Sequence, residues 1–180
     1  MRARTLVLIL WAVPLFAPLL PPAPKVIDTR ESIRAFIGYF APRMSIQSNM
    51  IAGILEQETR TTHRTNRDPK RGVNLGPDGD TGAGQVVQGH EKRMRKIWGP
   101  QFSLTNLKDN LKAAMSIYSW DYKYYRGKGW NKRQATLRAI QSFNCGIVGR
   151  TWQSRIHRRR KYMYRVLFYA EGQSIPSRYR

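Results

Sequence analysis

The chemistry in this sequence centres on a carboxyl group at the end of an apolar helix face. At about 100° per residue, Ile46, Met50, Ile54 and position 58 fall on one stripe, with Ile51 and Leu55 beside it. Extended forward, that stripe ends on Glu58 rather than on another hydrophobe. Glu56 is turned roughly 160–200° from the stripe and is expected to face solvent. A carboxyl at the end of a buried face is partly desolvated, which raises its pKa and keeps it protonated near neutral pH, ready to act as a general acid. Two further carboxylates, Asp78 and Asp80, stand in the run Gly76-Pro77-Asp78-Gly79-Asp80. Aspartate is favoured in such a run for turn formation alone. The single cysteine, Cys145, permits neither an intrachain disulfide nor a thiolate cluster, and His63, His90 and His157 lack ligand spacing. The expected site holds no metal and needs no cofactor.

The elements that must position Glu58 read as helices. Residues 28–40 alternate polar and apolar at helical spacing, with Asp28 or Thr29 as N-cap. Ser45 is expected to open the second helix, whose apolar positions lead to Glu58. Residues 61–81 are rich in Gly, Asn, Asp and Pro and predict a long loop, and long loops in compact domains are usually functional. Helical spacing returns over 91–98, 106–125, 132–143 and 156–169. Strand signals are nearly absent, there is no internal repeat, and the expected class is mainly α.

Arg2 and Arg4 precede an apolar run over residues 6–20, then Pro21-Pro22-Ala23-Pro24. This has the layout of a secretory signal and is short for a membrane span of about 20 residues. Proline after Ala17 and after Ala23 suits signal peptidase poorly, so residues 1–24 are expected to be either a signal peptide or an uncleaved membrane anchor. Residues 25–44 form an N-terminal helix, 45–170 a catalytic domain and 171–180 a basic tail.

Lys and Arg number 32 against 11 Asp and Glu, a formal charge of +21. Such a surface favours a polyanionic environment: nucleic acid, anionic lipid or an acidic cell-wall polymer. A hydrophobic share of 41% and an aromatic share of 11% exclude a disordered chain.

Four motifs in order resemble the soluble lytic transglycosylase family. The family's Gln-Glu-Ser around its catalytic glutamate is matched by Gln57-Glu58-Thr59, after the apolar residues 50–55. Its Gly-Ala-x-Gly-Leu-Met-Gln-Ile-like loop is matched by Gly79-Asp80-Thr81-Gly82-Ala83-Gly84-Gln85-Val86. A second register would use Gln88, but Gln85 aligns the glycines without a gap. An Ala-Tyr-Asn-Ala-Gly-like box appears as Ser142-Phe143-Asn144-Cys145-Gly146, and an Arg-x-Tyr-Val-x-x-Val-Leu-like segment as Arg160-Lys161-Tyr162-Met163-Tyr164-Arg165-Val166-Leu167. Asn110 and the helix after it resemble the family's Asn-Ile-x-x-Gly-x-x-Tyr-Leu segment. The likeness spans roughly residues 45–169. It departs from the family in the long insert after Glu58, in Phe143 for the usual Tyr, and in Arg158 for a Glu.

The resemblance implies a lysozyme-like helical domain with a long Gly-rich active-site loop, behind a hydrophobic leader. It implies cleavage of the β-1,4 bond between N-acetylmuramic acid and N-acetylglucosamine, with 1,6-anhydro ends as product. Glu58 would be the single acid and base, and Gln85, Phe143, Asn144 and Tyr162 would bind substrate or orient Glu58. Peptidoglycan strands are the expected partner, from a periplasmic or membrane-anchored position facing the cell wall, or from a virion. Membrane surface at the leader and proteins of a virion or secretion system are further partners of that reading. Two alternatives stand beside it. One is a muramidase using Asp78 or Asp80 as second carboxylate; the other is a non-catalytic basic structural protein. Specific nucleic-acid binding through residues 155–160 has no recognition motif behind it.

Overall fold

The computed structural model describes residues 22–60, 75–76, 79–145 and 156–179. Residues 1–21 of the expected leader over 1–24, most of the long loop, Asp78, and Gly146 with Arg155 lie outside the described residues. Six α-helices and one short β-ribbon build the remainder, so the chain is mainly α.

Helix α1 (Arg30–Phe40) starts at Thr29, whose Oγ1 accepts the Ser32 amide at 3.3 Å, as an N-cap requires. Its apolar face buries Ile33, Phe36 and Ile37. Ser45, expected to open the next helix, instead closes a 3-10 turn over Pro42–Met44. Its φ is 59°, and its amide bonds the Pro42 carbonyl at 3.0 Å. That left-handed residue redirects the chain, and α2 (Ser48–Thr59) begins after Gln47 without a side-chain cap.

Helix α2 buries Met50, Ile51, Ile54 and Leu55, the predicted stripe, along with Gly53. Gly53 sets how near the last long helix comes. A Cβ built there would lie 2.7 Å from the Val166 carbonyl oxygen and 2.9 Å from the Ala170 Cβ. Only a residue without a side chain lets the two backbones meet so closely. Glu56 departs from expectation: it is 16% exposed and pairs with Arg30 at 2.8 Å, because the start of α1 lies alongside.

A two-residue antiparallel ribbon, β1 (Asp80–Thr81) and β2 (Val86–Val87), carries the Gly-rich loop at its tip, with Thr81 opposite Val86. Helix α3 is Glu91–Trp98, α4 is Leu107–Gly127, α5 is Lys132–Cys145 and α6 is Ile156–Glu171. Helix α4 starts at the N-cap Asn106 and runs 21 residues, about 30 Å at 1.5 Å per residue. It carries buried residues along most of its length, Ser116, Ser119 and Asp121 among them. Helices α2, α6, α5 and α4 pack in a closed circuit around the core, with Tyr125 and Ser142 joining α4 to α5 at 2.9 Å. No described helix is long and apolar enough to cross a membrane.

Asp121 is 5% exposed, and burial raises its carboxyl from 3.8 to about 7. Its raised folded-state pKa means that its ionised form opposes folding. The destabilisation is absent below the unfolded value, grows as pH rises from about 4 to about 7, and is complete above that. Asp121→Asn is therefore expected to raise the melting temperature by several degrees at pH 8 and to leave it nearly unchanged at pH 4. Thermal denaturation at the two pH values checks this; equal shifts at both would contradict it.

Candidate functional site

Glu58 lies in the last turn of α2, at the end of the buried stripe. Its carboxyl is raised from 4.5 to about 7, first by burial and then by the nearby charge of Asp80, with the Tyr162 hydroxyl pulling the other way. The C-terminal end of a helix carries partial negative charge, which also disfavours a carboxylate there. Near neutral pH the group is divided between its acid and base forms, as a residue needs to give a proton and then take one back.

The partner comes from the far end of the sequence. Tyr162, on α6, is 6% exposed and donates its hydroxyl to Glu58 Oε1 at 2.6 Å. Burial, and then the carboxylate it faces, raises the phenol pKa well above 10, so the ring stays a donor across the physiological range. The close approach at Gly53 makes this contact geometrically possible: α6 lies directly against α2, and Tyr162 reaches the last turn of α2.

The Gly-rich loop is fastened to the same spot. Thr59 Oγ1 donates to the Ala83 carbonyl at 2.9 Å, tying the residue after Glu58 to the loop. Asn110, fully buried on α4, holds the loop from the other side. Its Oδ1 accepts the Gly84 amide at 2.9 Å, and its Nδ2 donates to the carbonyls of Thr81 at 2.7 Å and Leu104 at 3.1 Å. Gly84 has no room for a side chain, since a Cβ would lie 2.8 Å from that of Ala114. The loop is thus pinned between α2 and α4.

The other expected site residues are placed as follows. Gln85 sits in the loop at a left-handed φ of 44°, and its Nε2 donates to the Gly82 carbonyl at 2.9 Å, which shapes the turn. Its Oε1 end stands against Gly76. Phe143 and Asn144 occupy the last turn of α5; Phe143 packs half-buried on the core and Asn144 is exposed. A hydrogen bond joins Glu58 to Tyr162, while Gln85 follows Ala83, the loop residue that Thr59 holds, by two positions. Sequence reasoning did not find Gly53 or the tethering role of Thr59. A glycine inside an apolar helical run was the available signal for the first. Among the described residues no group of three or more His, Cys, Asp or Glu is arranged to hold a metal ion. The chain matches no protein-family model, no curated protein and no solved structure.

Proposed function

We propose that this chain is a lytic transglycosylase of peptidoglycan, built on a lysozyme-like helical domain whose Gly-rich loop forms one wall of the site. One observation carries the reading: a desolvated glutamate poised near pH 7, held by a buried tyrosine, at the position of the Gln-Glu-Thr motif. Glu58 protonates the glycosidic oxygen between N-acetylmuramic acid and N-acetylglucosamine. The muramic 2-acetamido group stabilises the oxocarbenium-like charge, the substrate-assisted exception to two-carboxylate catalysis. The Glu58 carboxylate then takes the proton of the sugar's own C6 hydroxyl, whose oxygen closes on C1 to give the 1,6-anhydro end.

Tyr162 keeps the Glu58 carboxyl oriented, the pinned loop lines the cleft, and exposed Asn144 is available to the substrate. The +21 charge favours a cell-wall setting rich in anionic polymer. The protein would act on the outer face of a membrane, carried there by its leader, or within a virion or secretion apparatus. Muropeptides released from purified sacculi test the reaction: anhydro ends are lighter by one water than hydrolytic ends. Intact sacculi, or release of reducing ends alone, would count against it.

Asp80 supports a second reading, a muramidase on the same fold. Its charge reaches Glu58, so a second carboxylate is near the site. Product masses separate the two readings, and so do pH profiles. Asp80→Asn removes a charge that raises the Glu58 pKa, so the alkaline limb of kcat/KM should move to lower pH with the rate below it little changed. Tyr162→Phe removes the bond that lowers the same pKa, so the limb should move to higher pH. Its rate should fall about tenfold with the lost orientation. If Asp80→Asn instead loses all activity, Asp80 is an essential second carboxylate and the enzyme is a hydrolase.

A further inference from the structure

Helix α3 carries a cationic face that no described carboxylate answers. Met94 is its buried residue, and Lys92 and Lys96 stand two positions to either side, about 160° round the helix, where both are exposed. Arg93 is exposed beside them, its guanidinium 3.7 Å from the centre of the Trp120 ring on α4. The carboxylates of α3 and of the first turn of α4 are engaged elsewhere: Glu91 with Arg95 and the Leu104 amide, Asp109 with the Ser103 amide. Among the described residues no carboxylate pairs with Lys92, Arg93 or Lys96. Ile97, one turn on from Arg93, is 51% exposed and flanks the cations.

The same surface continues to the start of the described chain. Near the end of α3, Lys112 of α4 lies 4.7 Å from the centre of the Trp98 ring. With the Arg93–Trp120 stack, this holds α3 along α4 at both ends. One turn back from Lys112, Lys108 is exposed and lines a cavity with Ala23, Pro24 and Lys25. Residues 23 and 24 end the expected leader, after its apolar run over 6–20, so the leader joins the domain beside the cationic surface. Lys112 has its pKa lowered, first by burial and then by the charge of Lys108. Like charges one turn apart oppose each other, and an anionic surface set against them would relieve that repulsion.

We propose that this face of the domain, centred on Lys92, Lys96 and Ile97, lies on the headgroups of an anionic phospholipid bilayer. Its orientation rests on the reading of residues 1–24 as a leader that reaches a membrane, and not on the glycan reaction. A bilayer suits the pattern better than a soluble polyanion does. Lysine stems lie along the interface while their ammonium groups meet lipid phosphates, and an exposed isoleucine among them enters the acyl boundary. A phosphodiester polymer would neutralise the charge but offer Ile97 nothing to enter. Each Lys held at an anionic membrane surface strengthens binding about fivefold.

The full chain, labelled at Ile97→Cys with an environment-sensitive fluorophore in a Cys145→Ser background, tests the proposal in reconstituted vesicles. Phosphatidylcholine vesicles are compared with vesicles that also contain phosphatidylglycerol, both carrying a nitroxide-labelled lipid as quencher. Strong quenching is expected with phosphatidylglycerol and little without it. Lys92→Gln/Lys96→Gln should lower the ratio of docked to free label about 25-fold, returning quenching to the phosphatidylcholine level. Salt at about 1 M should do the same, since it screens charges beyond about 3 Å. Lys128→Gln/Lys132→Gln removes as many charges beyond the far end of α4. Lys128 lies about 24 Å along that helix from Lys112 at 1.5 Å per residue, so this variant should be quenched as wild type. Equal quenching in both lipids, quenching in neither, or equal loss in the two double variants overturns the proposal. A label that answers a soluble glycerol phosphate oligomer and not the vesicles also overturns it and assigns the face to a polymer. Muropeptide release is read separately, so failure of the glycan reaction would leave these outcomes unchanged.

Discussion

Glu58→Gln is expected to abolish glycan cleavage while the chain stays folded and gains stability above neutral pH. Loss of a general acid alone costs about 10²–10⁴ in rate. Here the same group is assigned both protonation steps, so activity should fall to the background of the assay. The amide oxygen of Gln can still accept the Tyr162 hydroxyl, which preserves the packing of α2 on α6. The stability change follows from the raised carboxyl. Its folded value of about 7 exceeds 4.5, so the ionised form opposes folding, and the penalty develops as pH rises between those values. A neutral amide escapes it. The variant should melt several degrees above wild type at pH 8 and at the same temperature at pH 4. Glu56→Gln weakens the pair with Arg30, whose side chain is about half exposed, and should change activity little, with a stability loss of about 1 kcal/mol. Muropeptide release and melting curves for both variants decide the matter. Cleavage by the Glu58 variant, or its loss in the Glu56 variant, removes Glu58 from the acid role.

Glu58 illustrates what local sequence can reveal. Helical periodicity needs only neighbours three and four apart, so the stripe from Met50 to Leu55 and the carboxyl at its end were readable directly. The mainly α class and the bodies of all six helices were legible for the same reason. The start of α2 was not, because Ser45 is an equally good residue for an N-cap and for a left-handed turn, and tertiary packing chose the turn. The short ribbon was missed because two-residue strands have no period to detect. Glu56 was expected in solvent because helix phase says nothing of what a neighbouring helix brings; Arg30 arrives from α1. The Tyr162–Glu58 bond spans 104 positions, and no local pattern encodes it. It entered the sequence reading only through the motif resemblance. Asp121 was overlooked because a polar residue on a long helix reads as surface, and only packing on both sides of α4 buries it.

Asn110 should be the most costly polar residue to remove from the described structure. Its side chain makes three bonds inside a fully buried environment: one to the Gly84 amide and two to the Thr81 and Leu104 carbonyls. Asn110→Ala leaves those backbone groups without this partner in a place where water has little access. Each buried group so stranded costs about 1–3 kcal/mol, so a total loss of about 3–5 kcal/mol is expected, near 10 °C in melting temperature. Asn110→Asp separates the two halves of the interaction. The carboxylate can still accept from Gly84, but it faces two carbonyl oxygens where it had donated, so it should destabilise the fold as much as Ala, except at low pH where a protonated carboxyl recovers one donor. Because Gly84 adjoins Ala83, and Ala83 is the anchor for Thr59, release of the loop should disturb the residue next to Glu58. Cleavage measured well below the melting temperature should therefore fall with kcat more than with KM. Thermal melts and steady-state kinetics on the two variants are the checks. Wild-type stability in Asn110→Ala would show that the loop is held by something other than this side chain.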